Sequence, residues 1–220
     1  MIDLRLLAWT SPNCPTGAFA YSHGLEQAVE DGDVTNADEL VEFIEAVLTR
    51  GGGWVDAVMF AATYRADPER LDEIADLAAA FRGSAETSLE SLQQGRSLLS
   101  VLRAAWPHPA LDAFAERRGR EPIAQPVAMA LACAAHEIKL PDGLVAQLYA
   151  TASSLVSAGV RLVPLGQTQG QIAMAQLMPV IQQVAALAYT AKPDEIGTNV
   201  VRIELASMRH ETQTTRLFRS

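Results

Sequence analysis

Cys133 and His136 stand three residues apart on a helical stretch, a spacing that lets both face one ion. Cys14 and His23 flank a turn near the N-terminus. Each pair supplies only two ligands, whereas a structural zinc site takes four, and a free buried Cys is commonly a small hydrophobe. Ser22 and His23 are sequence neighbours, but no G-x-S-x-G elbow presents a serine nucleophile. Neither His136-Glu137 nor His210-Glu211 is followed one turn later by a second His, so the zinc-protease helix motif is missing. Gly51-Gly52-Gly53 lacks the lysine of a phosphate-cradling loop, and Gly17 and Gly24 follow no strand, which excludes a dinucleotide fingerprint. No enzyme, resident cofactor or metal site is therefore expected. A metal module or small hydrolase would have to use Cys133, His136, Cys14 or His23.

Three other segments carry residue choices that are odd for a plain core. Ser11–Glu26 (SPNCPTGAFAYSHGLE) is rich in turn formers and holds Phe19 and Tyr21 as aromatic anchors. In Val160–Gln171 (VRLVPLGQTQGQ), Arg161 stands alone between two uncharged stretches; such a charge must find a carboxylate, a carbonyl or a partner's acceptor. The tail Met208–Ser220 (MRHETQTTRLFRS) sets Leu217 and Phe218 between two arginines, which suits anchoring in a partner's groove.

The elements that position these segments read as helices. From Asp38 to Leu48, residues Leu40, Val41, Ile44, Val47 and Leu48 form one apolar face, with Glu39, Glu42 and Glu45 largely opposite. The glycine run stops this helix, Trp54–Ala66 forms the next, and Pro68 opens a third that carries Leu71, Ile74, Leu77, Ala78 and Phe81. Ala85–Ala105 is a long helix, 106–125 a short helix and exposed loop, and Pro126–His136 another helix. Leu140-Pro141-Asp142-Gly143 is expected to turn the chain. No run of alternating β-branched residues marks a strand. The expectation is an all-α single domain over 1–220 with about eight to ten helices. Residues 1–24 would form a turn-rich segment, and 208–220 a flexible tail able to order on a partner.

The 220 residues are 49% hydrophobic and 20% charged, enough to bury a core. With net charge −9, nucleic acid and anionic membrane are disfavoured as partners. The imbalance is local: residues 1–100 hold 17 acids and 6 bases, whereas 101–220 hold 9 acids and 11 bases. Two cysteines make no disulfide framework, and no basic start leads a long apolar run, so a cytoplasmic location is expected. Gly143–Val160 and Val163–Ala191 carry no charge at all. Their glutamines and hydroxyls argue against membrane spans. Gln169, Gln176 and Gln183, seven residues apart, draw an uncharged polar stripe suited to a protein contact, within the chain or across a dimer.

Together these segments resemble the UreF family of urease accessory proteins. The resemblance rests on Ser11–Glu26, ETSLESLQQGRSLL at Glu86–Leu99, Val160–Gln171 and Met208–Ser220, and so runs through the whole chain. The chain departs from the pattern at His23, where Gln or another polar residue is expected, and at Thr214, where an aromatic is common. The resemblance implies an all-helical non-enzyme that forms a homodimer, binds UreD or UreH, and recruits the GTPase UreG. Nickel is then handled by the assembled complex on its way to the urease apoprotein, not bound by this chain. It further implies that Tyr21 and Arg161 support a GTPase-facing surface, and that Arg209, Arg216, Leu217 and Phe218 dock or present the tail. Gln167, His210, Glu211 and Arg219 complete the partner-binding candidates in the same motifs. The alternative is a regulator that activates the GTPase by inserting Arg161 or a tail arginine. On this reading, truncation before Met208 leaves helicity and melting unchanged while abolishing partner capture.

Overall fold

Helix boundaries follow local chemistry. Asn36 accepts from the Asp38 and Glu39 backbone N–H groups and starts one helix; Ser84 and Thr87 form a reciprocal capping box at the start of another. His108 and Pro109 open a third, which Gly119 ends. In the computed structural model, which describes residues 3–219, the order is α1 (Leu4–Trp9), α2 (Leu25–Glu30), α3 (Ala37–Arg50), α4 (Gly52–Arg65), α5 (Leu71–Ala80) and α6 (Ala85–Ala105). Then come α7 (Pro109–Arg118), α8 (Gln125–Ala135), α9 (Leu140–Leu162), α10 (Gln167–Thr190) and α11 (Val201–His210). Short 3-10 turns lie at Ala18–Ala20 and Pro193–Glu195. Among the described residues there is no strand, and the helices enclose one core, as expected for an all-α domain. Met1, Ile2 and Ser220, the ends of the expected N-terminal segment and tail, lie outside the described residues.

One expected turn is a helix. Leu140–Gly143 forms the first turn of α9, because Pro141 sits where a helix needs no N–H donor. Gly143 faces inward: a Cβ there would lie 2.8 Å from Phe60 Cζ. The expected loop after α7 is also less exposed than its composition suggests, since Ile123 and Ala124 are buried.

α4 and α8 form the apolar centre, with Val58, Met59, Phe60, Val127, Ala128 and Met129 excluded from solvent. The two uncharged stretches form the hairpin of α9 and α10, which packs on α3 and α4. Gly159 of α9 admits Leu40, and Gly170 of α10 admits Val160. α9 and α10 are long and apolar enough to cross a membrane by length and composition. In the fold, however, each buries one side against protein. The inner side of α10 carries Ala173, Met174, Leu177, Ile181 and Val184, while Gln169, Gln176 and Gln183 are exposed with Ile172, Met178 and Leu187. Burial against the chain's own core therefore accounts for one face of α10 and leaves an uncharged outer face.

α6 and the segment leading into α8 approach so closely at Gly95 that an added Cβ would lie 2.2 Å from the Ile123 carbonyl oxygen. The obstruction is backbone and cannot swing aside. Gly95→Ala is expected to destabilise the fold by about 2–3 kcal/mol, read as a lower urea midpoint at unchanged slope.

Candidate partner-docking site

The N-terminal segment turns on two left-handed residues, His23 (φ 58°) and Gly24 (φ 79°). At Gly24 any side chain would collide with the Ser207 backbone, whose nitrogen would lie 2.8 Å from an added Cβ, so α2 and α11 can close only on glycine. Tyr21 is buried, 4% exposed, and its hydroxyl donates to Gln93 Oε1 at 2.5 Å. Burial pushes the phenol upward, and Arg219 works against that shift. Phe19 points outward, 72% exposed.

Arg161 resolves its isolation inside the chain. Its Nη2 donates to the Phe19 carbonyl at 2.9 Å, and its guanidinium lies 4.2 Å from the Phe218 ring centroid. Partial burial disfavours the charged form and lowers its pKa. The groove expected on a partner for Phe218 is, in this structure, the chain's own: Phe218 is 3% exposed, whereas Leu217 is 63% exposed.

The tail is fastened by two carboxylates that the sequence gives no reason to pair. Glu26 lies in the first turn of α2 and Glu86 in the first turn of α6; both are buried. His210, fully buried at the C-terminal end of α11, reaches Glu86 Oε2 through Nδ1 at 2.7 Å and Glu26 Oε2 through Nε2 at 3.0 Å. Glu26 also accepts the backbone N–H of Leu217 (2.7 Å) and of Phe218 (2.9 Å). Arg216 donates to Glu86 Oε1 at 2.9 Å, and the Arg219 N–H to the Ala20 carbonyl at 2.7 Å. His210 thus sets one ring nitrogen against each carboxylate and ties α11 to both α2 and α6.

The structure thus brings Tyr21, Arg161, His210, Arg216, Leu217, Phe218 and Arg219 together. Glu211 lies beside them and accepts the Ala85 N–H at 3.2 Å, and Arg209 pairs with Asp31 at 3.2 Å. Gln167 is exposed at the start of α10. Glu26 and Glu86 are the residues that the sequence reading missed as site residues. An acid in a first helical turn looks like an ordinary partner for the helix dipole, and the two lie on helices far apart in the chain.

The metal candidates have other employment. Cys133 is buried against Gly143, and burial pushes its thiol up to about 12. His136 Nε2 meets the Trp106 carbonyl at 3.1 Å, and His23 Nδ1 lies 3.5 Å from Glu90. Burial also raises the Cys14 thiol. Among the described residues no group of three or more His, Cys, Asp or Glu side chains is placed to hold a metal ion.

The model of the UreF family matches residues 34–178. The urease accessory protein UreF of Granulibacter bethesdensis is 47% identical over 220 residues, covering 98% of this chain and 93% of that protein. The UreF proteins of Rhodopseudomonas palustris (46%; 98% and 91% covered) and Xanthobacter autotrophicus (47%; 99% and 90% covered) are similarly related. The chain belongs to the UreF family. The relatives span the N-terminal segment and the tail as well, although the UreF model itself matches neither Tyr21 nor His210.

The cluster changes what truncation is expected to do to this UreF-family protein. Removal of 208–220 would take away His210, Arg216 and Phe218 and leave Glu26 and Glu86 buried without the tail groups that face them. Loss of one side of a buried pair costs about 3–5 kcal/mol, so a clear fall in melting temperature is expected, not the unchanged melting inferred from sequence. Calorimetry of the truncated chain checks this. Glu26→Gln is the gentler probe: weakening hydrogen bonds to a charged acceptor should cost about 2 kcal/mol and speed amide exchange at Leu217 and Phe218.

The two carboxyls also titrate in opposite senses. At Glu86 burial dominates and raises the pKa despite His210 and Arg216. At Glu26 burial pushes upward too, but the Leu217 N–H, His210 and the Phe218 N–H together outweigh it and leave the pKa below 4.5. On acidification Glu86 takes up its proton first, above the ordinary 4.5, and this binding favours the folded state. The stabilising contribution of Glu26 is fully present above 4.5 and is lost as pH falls through its lower folded value. Nuclear magnetic resonance should therefore show the Arg216 guanidinium loosening at milder acidity than the Leu217 and Phe218 amides.

Proposed function

We propose that the protein is a scaffold of urease maturation. It joins UreD or UreH to the GTPase UreG, so that nickel reaches the urease apoprotein over a short protected route. The observation that carries this reading is a composite surface: exposed Leu217 lies between Arg216 and Arg219, and exposed Phe19 adjoins Ala20, whose carbonyl takes the Arg219 N–H, while Glu26, Glu86 and His210 hold the tail in place. Exposed apolar side chains bordered by arginine, set on a rigid buried support, are features of an interaction hot spot. Membership of a family whose relatives are called urease accessory proteins supplies the biological setting.

Within this proposal the chain works in the cytoplasm as a homodimer and performs no reaction itself. The uncharged outer face of α10, with Ile172, Met178 and Leu187 among glutamines, offers a surface for a second copy, because facing amides can pair with each other without a charge to desolvate. Activation of the GTPase by an inserted arginine is less favoured, since Arg161, Arg209 and Arg216 already hold intramolecular partners.

The test is co-expression with UreD or UreH and UreG, followed by mass measurement of the purified complex. Leu217→Asp combined with Phe19→Asp should lower recovery of the complex at least tenfold while the melting temperature stays within a few degrees of wild type. Full recovery with both substitutions in place would refute this assignment of the surface.

A further inference from the structure

His23 holds a left-handed backbone at φ 58°, beside Gly24 at φ 79°. A residue with a side chain resists that conformation and keeps it only where its surroundings over-determine it. Here the ring is what the surroundings grip. It lies against Gly52 at the start of α4, where an added Cβ would stand 3.2 Å from Nε2, and its Nδ1 is 3.5 Å from Glu90 Oε2 on α6.

The segment that ends at His23 has little packing to hold it. From Thr10 to Ala20 no residue is buried, and behind the segment lies a cavity of about 170 Å³ bordered by Phe19, Tyr21, His23, Asp56 and Glu90. Such a segment depends on its polar ties. Arg161 donates to the Phe19 carbonyl, the Arg219 N–H to the Ala20 carbonyl, and the Tyr21 hydroxyl to Gln93, while His23 faces Glu90. Of these groups only an imidazole ordinarily changes charge near neutrality. Burial pushes the Tyr21 phenol above its usual 10, and raises the Cys14 thiol that lines the same cavity.

Charged groups face the ring from each element around it. Glu90 comes from α6, Asp56 from α4 and Arg82 from the link between α5 and α6; Glu204 of α11 borders a smaller cavity that His23 also lines. Asp56 is itself held by Arg82 at 2.7 Å, which leaves Glu90 as the principal partner of the imidazole. Burial disfavours the charged ring and Arg82 opposes it, but Glu90 and Asp56 outweigh both and raise the pKa above 6.5. The stabilising contribution of the contact is therefore fully present below 6.5 and is lost as pH rises through the folded value.

We propose that His23 and Glu90 form a pH-responsive clip: the imidazolium holds the segment of Phe19 and Tyr21 against α6, and loss of its proton loosens that segment while the tail stays docked on Glu26 and Glu86. Control of the Phe19 side of the docking surface is a consequence that rests on the scaffold reading; the clip itself does not.

The experiment is a magnetic-resonance titration of the ¹⁵N-labelled full chain from about pH 5.5 to about pH 8.5, following the His23 ring and the amide protection of Tyr21, corrected for intrinsic exchange. His23 should titrate with a midpoint above 6.5. Protection at Tyr21 should fall at least about threefold through that midpoint, with less than about a twofold change at Leu217 and Phe218. Glu90→Gln, which removes the partner charge, should lower the His23 midpoint by at least about half a unit. His23→Gln, which has no proton to lose, should leave Tyr21 protection independent of pH across the range. Circular dichroism confirms that each variant is folded, and should Glu90→Gln fail to fold, the wild-type titration and His23→Gln decide. A midpoint at or below 6.5, Tyr21 protection that does not follow His23, or the same pH dependence in His23→Gln would overturn the clip. These readouts need no partner protein, so the clip can fail while the scaffold reading stands, and the reverse.

Discussion

Two glutamates buried at helix N-termini, far apart in sequence, meet on one fully buried imidazole, that of His210. Without that imidazole Glu26 and Glu86 would face each other in a poorly hydrated space, and at least one would have to protonate. Because His210 ends α11, this contact fixes α11 against α2 and α6. Because Glu26 also takes the Leu217 and Phe218 N–H groups, it fixes the last described residues as well. The helix ends reinforce the arrangement: acids lie at the positive ends of α2 and α6, and an imidazole at the negative end of α11. The exposed Leu217 is thus carried on a buried polar support.

A second constraint comes from lengths of chain without charge. The α9–α10 hairpin is apolar enough to need cover, and the fold buries half of the apolar window of α9 and 39% of that of α10. The fold covers the inner side through α3 and α4, using Gly159 and Gly170 to bring helices close. Glutamines keep the outer side hydrated without adding charge. The result tolerates water in the free chain and a neutral surface in an assembly.

Much of the scaffold was legible in the residues. The ends of α6 coincide with the stretch Ala85–Ala105 read from the sequence, and Pro68 and the glycine run lie at the helix boundaries expected of them. The lapse at Leu140–Gly143 has a simple cause. Pro and Gly are turn residues, but Pro is equally at home in a first helical turn, and Gly143 is inward-facing because Phe60 needs the room. Nothing near position 143 in the chain reports where residue 60 is. The candidate site divides the same way: motif segments singled out Tyr21, Arg161 and the tail, but not which tail residue is buried.

The sequence alone determined helicity, the lack of a contiguous catalytic motif, the uncharged hairpin and the segments that carry the UreF resemblance, because periodicity, capping and charge are properties of neighbouring residues. Only the tertiary structure decided that Phe218 turns in under Arg161 while Leu217 turns out, that His210 bridges Glu26 and Glu86, and that Arg82 pairs with Asp56. Those pairings join residues as many as 184 positions apart, and they arise because buried polar groups and rings must find complementary groups wherever packing brings them.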